Sequence, residues 1–440
     1  MLLEFTIQNY KSFIEETTFS MIAAPKQSGL DYSICEKTVG QEKFKVLCSS
    51  VIYGPNASGK TNIIAALDTL CSIVLRGNIN NEETRKYPNP ASSSLELIPN
   101  KKYITPEPVK FSIKFVMGGK LFFYSIELDL GVFLDEAYER QVLLETLEIN
   151  NKTIFVRKQS RLEIIDIDEI SKNISETVLN NPDGAENIAE DGLNPDELFL
   201  SNGFKVIYSQ SIVKEIHNWF SQKLETICHA DILEIENNFP GNKSNTVYVE
   251  KTLNEAAKIF GINSNALGYV VSENTSKAKL CSLFNDLNNE NKAVPIDLFE
   301  SYGTIRFVNL FPIIAKAIAT GGILVIDEFD ASLHPMALMS IINIFHNDNI
   351  NINHAQLIFN THNPIFLNKN LFRRDEIKFV ERDDEDHSSS LYSLSDFGTS
   401  GKDGVRKGDD YMKNYFVSRY GAIKDIDFTP VFEYLLSSED

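Results

Sequence analysis

Apolar and polar positions alternate from Leu2 to Asn9, with Leu3, Phe5 and Ile7 set against Glu4, Thr6 and Gln8. That period of two predicts a half-buried strand. Phe19 to Ala24 is a second short apolar run, and Val46 to Tyr53 is a largely apolar strand that leads into a glycine loop. Lys60 to Leu75 then carries helical periodicity, so strand, glycine loop and helix follow directly on one another. Residues 76 to 108, rich in Asn, Pro and Ser, read as an irregular excursion. Phe111 to Met117, Gly118-Gly119 and Leu121 to Leu128 predict a hairpin on a two-glycine turn. Strand-like runs follow at Gln141 to Ile149, Thr153 to Arg157 and Leu162 to Ile167.

The pattern changes from about Glu169 to Val294, where Asn, Glu and Lys dominate. Ser211 to Ile227 and Thr275 to Asn289 have helical spacing there, which predicts a mostly helical insertion. It lacks the sustained apolar heptad that a coiled-coil arm requires. Sheet signals return at Ile323 to Ile326 and Gln356 to Asn360; a polar run, Arg382 to Ser390, and a short helical stretch, Tyr411 to Tyr420, follow. The expected organisation is an α/β chain in three parts: an N-terminal lobe (1–168), the insertion (169–294) and a C-terminal lobe (295–440).

Composition narrows the class. At 440 residues, 43% hydrophobic and 23% charged, the chain has the balance of a soluble globular protein. No run of 18 or more apolar residues appears, and the N-terminus lacks a basic leader before an apolar stretch, so a cytoplasmic protein without a membrane span is expected. The five cysteines share no Cys-x-x-Cys spacing and read as reduced, buried thiols. A net charge of −19 lacks the basic footprint through which proteins bind nucleic acid independently of its sequence.

The chemistry concentrates in four motifs. Gly54-Pro55-Asn56-Ala57-Ser58-Gly59-Lys60-Thr61 satisfies Gly-x-x-x-x-Gly-Lys-Ser/Thr. Its glycines let backbone N–H groups turn onto phosphate oxygens at a helix N-terminus. Lys60 is placed to reach the β- and γ-phosphates, and the Thr61 hydroxyl to ligate Mg²⁺. Gly321 to Glu328 is an apolar strand ending in Asp327 and Glu328. Asp327 suits the metal contact, and Glu328 suits the base that orients water. A third strand ends in Asn360-Thr361-His362-Asn363, where His362 fits a γ-phosphate sensor. Finally, Glu300-Ser301-Tyr302-Gly303-Thr304-Ile305-Arg306-Phe307 opens a helical run. Ser301 and Gly303 there fit either an anion-facing turn or a plain helix N-cap.

Together these motifs resemble the ATP-binding-cassette superfamily of ATPases, in particular its RecF/SMC/OLD-like branch. The resemblance implies an ABC-type head with a mixed and parallel sheet around the P-loop helix, ATP and Mg²⁺ as cofactors, and hydrolysis at a dimer-composite site. It implies that Ser301 and Gly303, the signature, act in trans on the γ-phosphate held by a partner copy's loop. Asn56, Ser58, Gly59, Lys60 and Thr61 would bind the nucleotide, with Thr61 and Asp327 as metal ligands. Asn9-Tyr10-Lys11-Ser12-Phe13 looks like the branch's N-terminal segment, which puts Lys11 and Ser12 close to the nucleotide. Ala331-Ser332-Leu333-His334 falls at the D-loop, where many relatives have Asp instead of His334. Gln141 is the candidate for the Q-loop.

Ser-x-Gly-Thr-x-Arg-Phe, Asp-Glu-Phe-Asp-Ala-Ser-Leu-His-Pro and Tyr415 to Ile423 further resemble bacterial stand-alone ATPases of abortive-infection and anti-phage operons, including the ATPase halves of PARIS-type and RloA/RloB-type systems. That likeness implies a homodimer or higher homo-oligomer formed through an ATP sandwich. It also implies a separate effector, a TOPRIM-like nuclease or a toxin, and a phage-encoded trigger. The stretch after His362 is too short for a TOPRIM domain, and the cluster Asp383 to Asp386 reads as a solvated loop. The alternative is a RecF/SMC-like DNA-repair or DNA-clamp ATPase, and DNA binding divides the two readings.

Overall fold

A computed structural model of the chain describes all residues except 26, 28, 81–96, 136, 229–236, 239–246, 263, 272–276, 286–290, 400–403, 407, 425 and 438–440. At its centre is a six-stranded sheet. Its order is Leu224–Ile227, Ile323–Ile326, Gln356–Asn360, Ser49–Tyr53, Ile377–Arg382 and Ser389–Ser393. The first five strands run parallel, and the last returns antiparallel as a hairpin. Ser49–Tyr53, Ile323–Ile326 and Gln356–Asn360 are buried throughout. Continuous burial is what a parallel strand covered on both faces demands.

Alternate residues of the central strand feed two cores. Ile52 joins the core that holds the helix Lys60–Arg76 and a seven-stranded antiparallel sheet. Val51 and Tyr53 join the other, which holds the helices Tyr302–Thr320 and Pro335–Phe345. The seven-stranded sheet runs Arg161–Ile164, Lys152–Lys158, Gln141–Ile149, Lys120–Asp129, Val109–Met117, Leu2–Gln8 and Thr17–Ser20. Gly118 and Gly119 make the expected turn, both with positive φ (58° and 77°), as a two-residue hairpin of this twist requires. One described helix, Tyr302–Thr320, is long and apolar enough by composition to cross a bilayer. Here it packs in the second core through Phe307, Val308, Leu310 and Ile314.

Among its described residues the insertion holds the helices Glu176–Asn180, Pro182–Asp191, Gln210–Asn218 and Lys251–Phe260, but it carries strands as well: Leu224–Ile227, expected to be helical, lies at the edge of the central sheet. Within Thr275 to Asn289, Lys277–Asn285 is also a strand, paired with Ala266–Val271 on one side and Asn291–Pro295 on the other. Its apolar positions Ala278, Cys281 and Leu283 fit a helical spacing nearly as well as an extended one, and cross-strand pairing decides between them. Two boundaries move as well. The run from Val46 breaks at Cys48, so that Glu42–Leu47 pairs with Ile34–Val39 while Ser49–Tyr53 enters the central sheet. The late helix is shorter than expected, Tyr411–Phe416.

Candidate functional site

The glycine loop leaves the C-terminal end of Ser49–Tyr53, and its backbone explains its sequence. Gly59 has φ 108°, and a Cβ there would lie 2.6 Å from the Ser389 hydroxyl and 2.7 Å from that of Ser12. A Cβ on Gly54 would meet the Val380 carbonyl at 2.3 Å. Glycine is therefore required by close approach as well as by conformation. Lys60 is buried and donates to the carbonyls of Gly54 (2.8 Å) and Pro55 (2.9 Å). Burial pulls its pKa down to about 8, against the opposing pull of Asp327 and Glu328. Asn56 is exposed on the loop, and Ser58 is buried.

Parallel pairing carries the other motifs to the same edge. Asp327 and Glu328 follow the strand Ile323–Ile326, and His362 follows its neighbour Gln356–Asn360. The Thr61 hydroxyl donates to Asp327 Oδ1 at 3.1 Å. Burial raises the Asp327 pKa, opposed by the bonds from Asn360 and Thr61. Glu328 is exposed and sits at φ 49°, a left-handed conformation unusual for a side chain of its size. That turn is fixed by two groups the sequence reading missed. Asn360 Oδ1 accepts from the Glu328 N–H at 2.5 Å while its Nδ2 donates to Asp327, and Arg306 donates to the Glu328 carbonyl at 2.5 Å. Partial desolvation and then the Lys60 charge lower the pKa of His362, so its imidazole is neutral at pH 7.

The N-terminal segment reaches the glycine loop. Asn9 and Lys11 adopt positive φ (51° and 49°), and Asn62 donates to the Ser12 hydroxyl at 2.7 Å. The hairpin Ile377–Arg382/Ser389–Ser393 clamps the loop from the other side. Ser389 donates its hydroxyl to the Ser58 carbonyl (2.6 Å) and its N–H to Ser12 (2.7 Å), and Arg382 donates to Ala57 (3.1 Å). The polar run Arg382 to Ser390 is thus the turn of a strand pair against the loop, with Asp386 tied to Lys102 and Asp384 to Lys424, both at 3.0 Å. Lys11, Ser12, Ala57, Asn62, Phe133 and Arg382 border a cavity of about 270 Å³ beside the loop.

Ser301 caps the helix Tyr302–Thr320, accepting from the Thr304 N–H at 3.2 Å. Within one chain the N-cap reading of Ser301 therefore holds, and Ser301 as a residue is exposed at that helix start, its hydroxyl also 2.9 Å from that of Thr304. A Cβ on Gly303 would lie 2.5 Å from the Ser332 carbonyl, so the Ser301–Gly303 turn packs against the segment Ala331 to His334. His334 caps the helix Pro335–Phe345 through Nδ1, which accepts from the Met336 N–H at 3.2 Å. An aspartate carboxylate is also able to accept that bond at an N-cap. Gln141 is not brought to the loop. It bonds to Asp129 at 3.3 Å on the antiparallel sheet and faces a cavity bordered by Asn80, Tyr138 and Asp196.

The chemistry of the donor set fits a Mg²⁺-bound nucleoside triphosphate. Ser58 Oγ is buried without a hydrogen-bond partner among the described residues. Lys60 spends its donors on loop carbonyls, and a hydroxyl and a carboxylate already meet at the place a divalent cation would take.

Fold and site define an α/β P-loop ATPase domain. Residues 49–368, more than half of the chain, match the family described as "AAA domain, putative AbiEii toxin, Type IV TA system", and the chain belongs to that family. Among solved structures it is similar to the SMC head domain from Thermotoga maritima, at 12% identity and a TM-score of 0.35, over 89% of this chain and 98% of that one. No curated protein matches.

Proposed function

We propose that this chain hydrolyses Mg²⁺-ATP at a site completed by a second copy, and that the ATP-bound assembly regulates a separate effector, a nuclease or toxin, in bacterial anti-phage defence. The observation that carries the catalytic reading is the cluster of Thr61, Asp327, Asn360 and Glu328 at adjoining ends of parallel strands. Membership in a family described by a toxin and a toxin–antitoxin system supports the defence reading.

Lys60 leaves the Gly54 and Pro55 carbonyls for phosphate oxygens, and the loop N–H groups hold the remaining negative charge. Thr61 and Asp327 would hold Mg²⁺, which would supply positive charge against that developing on the phosphates. Asn360 and Arg306 fix the backbone of Glu328, so its exposed carboxylate is aimed before substrate arrives and can orient a water for attack. Neutral His362 can contact the γ-phosphate without adding a second cation beside Lys60. Ser301 and Gly303 would reach that phosphate from the partner copy.

Glu328→Gln is expected to bind ATP normally while turnover falls by about 10²-fold or more, and to trap an ATP-bound dimer. Single-turnover kinetics and light scattering check both. Hydrolysis at the wild-type rate would remove Glu328 from the role. For the effector, co-expression with the product of the neighbouring gene should give a complex on gel filtration, and failure to co-elute with or without ATP overturns the partnership.

A further inference from the structure

The C-terminal segment leaves the body of the protein at the rim of the glycine loop. Ile423 and Lys424 border a cavity of about 210 Å³ together with Pro55, Asn56 and Ala57. Beyond them lies the helix Thr429–Ser437. Phe428, Val431, Phe432 and Leu436 fall at helical spacing on one stripe. They are 66%, 56%, 62% and 73% exposed. A contiguous apolar stripe left in water marks a surface that an interaction covers.

A second exposed apolar group surrounds the Ser301–Gly303 turn. Leu298 and Phe299 precede that turn and are 73% and 46% exposed; Met336, 65% exposed, opens the helix after Ser332. Because Gly303 packs on the Ser332 carbonyl, the two turns form one surface.

We propose that the helix Thr429–Ser437 of one copy docks on the apolar surface around Leu298, Phe299 and Met336 of a second copy when ATP is bound. The inference rests on the composite-site reading, in which the signature turn of one copy lies over the glycine loop of the other. The helix is rooted at that loop's rim, and the link from Lys424 to Phe428 spans about 14 Å at full extension. Its docking ground is therefore whatever surface comes over the loop. Each chain carries −19, and Asp297 and Asp427 flank the two apolar groups, so like charge opposes the contact and burial of the apolar side chains has to supply the attraction. Glu433 is the one charged residue in Thr429–Ser437.

The test uses the full-length Glu328→Gln chain with ATP, compared with the same chain carrying Phe432→Glu and Leu436→Glu. Sedimentation should show an ATP-dependent dimer in the first, and a midpoint concentration at least tenfold higher in the second. Both should bind a fluorescent ATP analogue equally as monomers, since the changed residues are exposed. An unchanged midpoint overturns the docking and leaves the composite site standing. No ATP-dependent dimer in the parent chain overturns both. Mixing a Phe432→Cys copy with a Phe299→Cys copy should give an intermolecular disulfide only with ATP, and its absence in a formed dimer also overturns the contact. If the double-glutamate chain dimerises normally but no longer binds its effector, the stripe belongs to the effector, and the second copy is wrong.

Discussion

Lys60 is a cation that the glycine loop holds at a cost. Burial lowers its pKa from 10.5 to about 8, which corresponds to a penalty on the order of 3 kcal/mol while the amine is charged. The sign follows from proton binding. Between pH 8 and 10.5 the unfolded chain binds a proton that the folded chain has released, so stability rises with pH across that window. Below pH 8 the penalty is present in full. Lys60→Met should therefore raise the melting temperature of the nucleotide-free protein by several degrees at pH 7, lose that advantage as pH approaches 10.5, and abolish ATP binding. Equal melting curves for the two proteins at pH 7 would mean that the loop carbonyls compensate the charge fully. Stability given up in this way at a binding residue is what a site built for an anion entails.

At the scale of elements, strand–loop–helix from Ser49 to Arg76 was readable because every signal is local: a buried run, glycines at fixed offsets, then helical periodicity. Asp327, Glu328 and His362 were readable because each lies just past the end of an apolar strand. Asn360 carries a weak signal of that kind, a polar residue closing a buried strand. Ser389 carries none, and Arg306 stands in the Ser-x-Gly-Thr-x-Arg-Phe motif with no sign of its role, because both roles arise where separate segments meet. Leu224–Ile227 was missed for the same reason: its identity as an edge strand comes from pairing with Ile323–Ile326, and four residues are too few to declare a period. The contact between the turn at Ser301 and the segment after Asp330 is likewise invisible in sequence, yet it makes Gly303 a sharp test. Gly303→Ala puts a methyl 2.5 Å from the Ser332 carbonyl, and backbone cannot step aside as a side chain can. A destabilisation of about 1–3 kcal/mol is expected, with turnover reduced and monomer affinity for ATP retained, as measured by thermal melting and nucleotide titration. Wild-type stability and turnover would show that the two turns do not bear on each other.

For the whole molecule, the question is what keeps the antiparallel sheet, which carries Lys11 and Ser12, in register with the parallel sheet that carries the loop. Gln356 answers part of it. Fully buried at the start of its strand, it accepts from the Leu2 N–H at 2.7 Å and donates to the carbonyls of Leu2 (3.0 Å) and Leu47 (3.2 Å). One amide thus ties the first strand of the antiparallel sheet, the end of Glu42–Leu47 and the central sheet together. Gln356→Leu keeps the volume nearly constant, so packing alone predicts little change. Loss of the amide leaves the Leu2 N–H buried without that partner, which costs about 1–3 kcal/mol. Urea unfolding should register that loss in its midpoint, and hydrogen exchange should quicken at Leu2 before it does along Ser49–Tyr53. Because Ser12 touches the loop through Asn62 and Ser389, a first strand that opens more often should also weaken ATP binding severalfold without altering hydrolysis of bound ATP. An unchanged midpoint together with unchanged exchange at Leu2 would show that the apolar interface alone aligns the sheets. A changed midpoint with unaltered ATP affinity would confine the role of Gln356 to stability.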